Sequence, residues 1–473
     1  MILLIIQKEI FNNLLNLRFV IACIVCLILI ISSIVVLTQN YENELRDYHD
    51  RVITQDNFID EFGHLNRAGW MARPMREPSR FQPLVLGIDR AARQENFISN
   101  PIPVLFTRLD FVTIVTIIMS LMAILFSYNI ISGERETGLL RLMLSTSMPR
   151  STIVLGKFIG GNISLVIPFT IGVLAGLLYL AVRPSLQLQT MDLGVFLMLL
   201  LASYLYIAAF YGLGLLFSAR SHTSNQAVLK SLFAWVLLVL VIPNISPFLA
   251  AWVYRIPSAT KIEQDLERIT SEERDEIVHQ RTRQLLQTKF SDLAGIVGMS
   301  QNEVQAKAES EAIFRQRYAA YAKAWDEMVK QVNKEQREIA QKIEKTFTER
   351  SKYQERLATI FASITPFSNF VFIATDLTET GMEGDTRWQK QAETYLGVLS
   401  TYVDEKYQKA MQKNPAFSIN DYLDLRDRPW FRYQPTGLVE RLIAVLPQFG
   451  LLVFFNLFFL ACACLSFLRY DVR

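Results

Sequence analysis

Six long stretches of this chain carry no charge, and the intervals between them are strongly polar. The uncharged runs are Phe19–Leu37, Phe111–Gly133, Phe158–Val182, Leu193–Ala219, Ser231–Tyr254 and Leu442–Leu468, each 19 residues or longer. About 20 apolar residues carry a helix across the hydrocarbon core of a bilayer, so the pattern predicts six membrane-spanning helices. The polar intervals have a period of their own. Residues 258–294 and 299–365 contain neither Gly nor Pro and are rich in Glu, Gln, Lys, Arg and Ala, which are strong helix formers. In the second interval Val304, Ala308, Ala312, Tyr318, Ala322, Trp325, Val329, Val332, Ile339, Ile343, Phe347, Leu357, Ile360 and Ile364 recur at helical spacing. Gly295 and Gly298 separate the two intervals, and Ser300 with Glu303 fits a capping box. The expectation is a helical hairpin over 258–365. Its second arm, if unbroken, reaches about 90 Å at 1.5 Å per residue. Its charged face reads as a solvated surface or as a partner-binding coiled coil.

Charge orients the spans. The N-terminus, the segments after the second and fourth spans, and the C-terminus carry Lys8, Arg18, Arg135, Arg141, Arg150, Lys157, Arg220, Lys230, Arg469 and Arg473 against Glu9, Glu134, Glu136 and Asp471. The loop between spans three and four offers only Arg183. The excess of Lys and Arg in short loops marks the cytoplasmic side, so both termini are expected there, with the protein in the inner (plasma) membrane. The fold class is then all-α: a polytopic membrane protein with six transmembrane helices and a large, mainly helical extracytoplasmic domain. The expected divisions are 1–37 (N-terminus and first span), 38–110 (first extracytoplasmic segment), 111–254 (spans two to five), 255–441 (the large domain) and 442–473 (last span and C-terminus). The first external segment begins as a helix through Asp60 and becomes irregular around Pro74, Pro78 and Pro83. The apolar stretch Phe367–Ala374 is too short to span and reads as a core helix or an interfacial segment. The cytoplasmic pieces are too short for a catalytic or signalling domain.

The remaining composition mostly excludes. A net charge of +3 gives no nucleic-acid footprint. Cys23, Cys26, Cys462 and Cys464 all lie inside apolar runs, where free Cys behaves as a small hydrophobe. His49, His64, His222 and His279 are scattered and form no metal constellation. The first apolar run is longer than a signal-peptide core and reads as a retained helix.

Residues 132–157 carry the specific signal. After span two come Glu134-Arg135-Glu136, then Gly138, a Leu-rich helix with Leu139, Leu140, Leu142, Met143 and Leu144, then Ser145, Pro149-Arg150 and Gly156-Lys157. The helix is too short and too charged to span and is expected to lie along the membrane surface. This order resembles the coupling region of type-2 ABC transporter permeases, the membrane subunits of many ABC exporters. Leu139 stands where Thr often follows the Gly. The Arg73–Leu84 stretch with Gly87, and Thr365-Pro366-Phe367 through Thr380-Gly381, are similar to a subgroup with a large helical extracytoplasmic domain.

The resemblance implies a separate ATPase subunit, which binds ATP and Mg and docks on Glu134, Arg135, Glu136, Gly138, Leu142, Ser145, Pro149 and Arg150. It also implies a second permease copy or a paralogue as dimer partner. The alternative reading of the three charges is that they only cap and anchor the helix. The chain has no G-x-x-x-x-G-K-[ST] phosphate loop of its own, and no cofactor is expected on it. Gly160, Gly172 and Gly176 in span three predict close helix packing, within the subunit or at a dimer seam, with a substrate path as the alternative. Asn244 and Asn456 are candidates for interhelical hydrogen bonds or a pathway. Three readings follow: an exporter permease, a mechanotransmitter acting on an extracytoplasmic protein partner without moving a substrate, or a membrane scaffold or sensor without an ATPase.

Overall fold

The computed structural model describes residues 2–61, 73–87, 109–144, 149–186, 189–296, 312–414, 417 and 421–469. Among them the regular structure is helical, with no strand. The chain forms two compact units, residues 1–243 with 362–473, and Asn244–Phe361. Six helices are long and apolar enough to cross a membrane: Leu17–Glu61, Phe111–Glu136, Arg150–Ala181, Met191–Arg220, Ser224–Val253 and Leu438–Leu468. Each expected run is matched by one of them. The first runs on to Glu61 as a single helix. Ahead of it lies a further helix, α1 (Ile2–Leu15), which hydrophobic run length alone does not announce.

Span four is the hub of the first unit. Tyr206, Phe210 and Tyr211 on it are wholly enclosed, and Asn456 of span six donates to its Leu205 carbonyl at 2.8 Å. Spans two and five each contain a π-helical turn, Ile114–Met119 and Val236–Val241. A widened turn leaves backbone carbonyls without regular donors, and these must be satisfied inside a membrane. Tyr206 donates its hydroxyl to the Thr116 carbonyl at 2.8 Å; beside this turn Trp235 Nε1 donates to the side-chain hydroxyl of Ser120 at 2.8 Å.

Outside the spans, α6 (Pro366–Leu377) begins with Thr365 as N-cap and Pro366 in its first turn. Its Phe370, Ile373, Ala374 and Leu377 are buried in the same core as residues of the spans. The helix α7 (Met382–Lys413) packs Leu399 and Val403 against Ile59 at the far end of the first helix. The irregular stretch 73–87 lies against the start of α7: Arg76 pairs with Asp385 at 3.1 Å, and Phe81, Leu84 and Val85 are buried.

One residue gathers these pieces. Glu379 follows α6 with φ +54, a left-handed conformation that costs a non-glycine residue about 1 kcal/mol or more. Its carboxylate accepts from the Thr436 N–H at 2.8 Å and from Arg387 at 2.9 Å, and pairs with Arg441 at 3.3 Å. Its carbonyl accepts from Arg76. Gly384 is needed beside it, because a Cβ there would fall 2.2 Å from Glu379 O.

The second unit contains two helical arms. The first arm comprises α3 (Ala259–Glu267), a π turn Arg268–Glu273 and α4 (Arg274–Lys289). The second is α5 (Ala312–Ala362), 51 residues long, or about 76 Å at 1.5 Å per residue. Leu286, Phe290, Leu293 and Phe314 close one end. Arg281–Glu335 and Arg317–Asp292 pair across the arms. The capping box at Ser300–Glu303 and the Gly298 break lie outside the described residues, and the described arm is accordingly shorter than the estimate from the uninterrupted sequence.

Candidate functional site

The turn joining spans two and three is built from short pieces. Span two ends in the helical residues Ser132–Glu136. Gly138, at φ +77, turns the chain, a conformation glycine adopts without strain. A short helix, α2 (Leu139–Leu144), follows, and Pro149 stands at the N-cap of span three, which starts at Arg150. Ser145 lies outside the described residues. Within α2 the leucines divide. Leu140 is buried with Ile5, Ile153, Val154, Leu215 and Phe467, whereas Leu139 and Leu142 are 50% and 69% exposed.

The charges of the turn have partners within the chain. Glu134 Oε1 lies 2.8 Å from Lys157 Nζ and 3.3 Å from Lys8 Nζ. Arg135 donates to the carbonyls of Ser221 (2.6 Å) and Ala219 (3.2 Å), at the end of span four, where helix carbonyls lack intrahelical donors. Glu136 accepts from the Ser224 N–H at 2.8 Å and its hydroxyl at 2.9 Å, at the start of span five, where a negative charge suits the helix dipole. Arg150 donates to Leu468 O at the end of span six. The turn is thereby tied to four spans, and two of its three clustered charges face inward rather than out. The sequence does not reveal this, because Lys157, Ser221 and Ser224 are distant along the chain.

Beneath the turn lies a buried ion cluster. Lys157 is 1% exposed and also donates to Glu9 Oε1 at 2.8 Å. A lone buried charge costs several kcal/mol, and only paired, hydrogen-bonded charges offset that penalty. Here one ammonium serves a carboxylate on α1 and another on the turn. The glycines of span three make room. A Cβ on Gly156 would meet Ile5 at 2.8 Å, and one on Gly160 would meet Glu9 Cβ at 2.9 Å. One turn on, Asn13 donates to Ser164 Oγ at 3.2 Å. Thus α1 lies in a groove of span three and runs parallel to it. Farther along, Gly172 and Gly176 receive Ile30 and Ile34 of the first span. These glycines therefore serve close packing inside the chain. Asn456 bridges spans six and four, and Asn244 is exposed on span five. Among the described residues no group of His, Cys, Asp and Glu could hold a metal ion.

The class follows from this arrangement together with comparison. The family described as ABC-2 family transporter protein matches residues 3–472, and the chain belongs to it. The chain is similar to the probable ABC transporter permease protein NosY of Pseudomonas aeruginosa, 32% identical over 152 residues, which is 32% of this chain and 54% of that protein. It is also similar to the probable ABC transporter permease protein NosY of Stutzerimonas stutzeri, 31% identical over 133 residues, 27% of this chain and 47% of that protein. The matches span about half the length of these curated relatives.

Proposed function

We propose that this chain is the permease subunit of an ABC exporter in the inner membrane, with the end carrying α1 and the 132–150 turn in the cytoplasm. A separate ATPase, which binds ATP and Mg, docks on that turn, and two permeases, identical or related, work as a pair. The observation that carries this reading is the construction of the turn. Its charges tie it to the ends of spans three to five, while Leu139 and Leu142 of α2 are presented outward. An apolar ridge on a firmly tied turn suits a surface that must pass a push from a soluble subunit into the spans. Gly138 and Pro149 shape the ridge, and Glu134, Arg135, Glu136 and Arg150 hold it in place. The basic excess of the short loops supports the orientation.

The test is co-purification. Leu142→Asp should abolish recovery of the ATPase with the permease in mild detergent while leaving membrane levels and thermal unfolding of the permease unchanged. Recovery equal to that of the unsubstituted chain would refute docking on this ridge.

A second reading is favoured by the hairpin. An α5 of 51 residues is a long lever, and a permease of this kind could use ATP to move an extracytoplasmic protein partner without passing a substrate. ATP-dependent transport by the purified complex in proteoliposomes separates the two readings.

A further inference from the structure

We propose that α1 is a working part of the coupling device, and that Glu9 and Lys157 are its positioning residues, setting where the turn sits against span three. The inference rests on the docking reading for its functional consequence but not for its geometry.

Three observations converge. The first is the shared ammonium: Lys157 Nζ stands 2.8 Å from both Glu9 on α1 and Glu134 on the turn. An ammonium offers three donors on one point charge, so the two carboxylates are held through a single atom. The second is the lining of the groove: Gly156, Gly160 and Ser164 admit α1 at backbone distance, with Ile6 O 3.1 Å from the position of a Cβ on Gly160. The third is apolar: Ile5 of α1 and Leu140 of α2 belong to one buried cluster. A displacement of the turn must therefore move α1, move span three, or break a buried ion pair. The exposed pair Lys8–Glu134, with Lys8 47% exposed, adds little, as solvent-facing pairs do.

The test uses the full chain in lipid nanodiscs, with its four cysteines replaced by alanine and a spin label attached at Thr137→Cys on the turn. Glu9→Gln removes one charge and keeps the shape. Gly160→Leu pushes α1 from its groove and alters no charge. Lys8→Gln is the exposed control. Both of the first two variants should raise the mobility of the label above that in the unsubstituted chain, and Lys8→Gln should not. The same two variants, with the ATPase still bound, should lower permease-dependent ATP turnover about tenfold, the scale of one lost charged hydrogen bond. Labels whose mobility is unchanged in Glu9→Gln and Gly160→Leu overturn the positioning role whatever the ATPase does. A mobilised label with unchanged turnover overturns the part of α1 in coupling. A mobilised label in a chain that retains no ATPase even when unsubstituted supports positioning and refutes docking instead. If Glu9→Gln lowers unfolding temperature so far that the chain is lost, Glu9→Asp supplies the readout: a shortened but charged side chain should give an intermediate label spectrum.

Discussion

The first unit buries charge at both ends of its bundle, and the two clusters are made differently. At the α1 end, two carboxylates share one lysine. At the opposite end, one carboxylate, Glu379, is shared by Arg387 and Arg441. Arg441 also donates to Thr436 O and Leu377 O at 3.0 Å each. A guanidinium is a rigid planar fork, whereas an ammonium is a compact charge on a flexible stem. The arginine cluster is pinned to backbone on several segments, and its glutamate has an unusual backbone conformation. The lysine cluster joins three helices through side chains alone. The lesson is that equal burial does not mean equal rigidity: one end is built as a fixed anchor, the other as a joint.

The comparison can be broken most forcefully at the anchor. Glu379→Ala strands the 7% exposed Arg441 and should cost about 3–5 kcal/mol, the range for breaking a buried pair, measured by chemical unfolding in detergent. A loss no greater than that of an exposed ion pair would remove its claim to be an anchor. At the joint, Lys157→Met leaves Glu9 and Glu134 facing each other and should cost about 3 kcal/mol. Replacing all three by Glu9→Gln, Lys157→Met and Glu134→Gln should recover most of that loss, because no buried charge remains. Failure to recover it would mean that shape and not charge dominates. Between the two ends, Gly161→Ala places a methyl 1.6 Å from the hydroxyl of enclosed Tyr211 and should cost about 1–3 kcal/mol by overpacking, seen as a lower unfolding temperature.

The smallest expected effect depends on pH and lies beside the anchor. Burial, aided by the Glu383 carboxylate, raises the Asp376 carboxyl to about 7. The unfolded chain loses this proton near pH ~4. The folded state thus holds the proton more tightly, and this contribution is full below about pH 4 and is lost as pH rises through about 7. Asp376→Asn should therefore stabilise the protein above pH 7, by on the order of 1 kcal/mol given its partial exposure, and change little at about pH 4. A pH-independent difference between the two proteins would contradict the shift.

How much of this was legible in the sequence depends on range. Uninterrupted apolar runs revealed all six spans, and the Gly- and Pro-free stretches revealed helices, because both signals are local. The glycines of span three announced close packing, but not that Ile5, Glu9, Ile30 and Ile34 fill the spaces. The π turns of spans two and five have no composition of their own, since Ile114–Met119 and Val236–Val241 are as apolar as their neighbours. At the site, Glu134, Arg135 and Glu136 stood out as a cluster, yet their partners are Lys157, Ser221 and Ser224. Lys157 could be read as one of the basic residues that orient the spans and as part of the Gly-Lys pair opening span three, but not as a buried partner of Glu134. Glu9, the one acidic residue of α1, was the hint that this helix faces a buried cation.

The pairing of Glu9 with Lys157 also sets an order of events during synthesis. The two residues are 148 positions apart, so at ribosomal speeds Glu9 exists for roughly 7–30 s before its cation is made. Through that interval α1 has no groove to occupy and must keep its carboxylate in water. The helix α1 is therefore seated only after span three is made, and its seating reports that span three has been inserted.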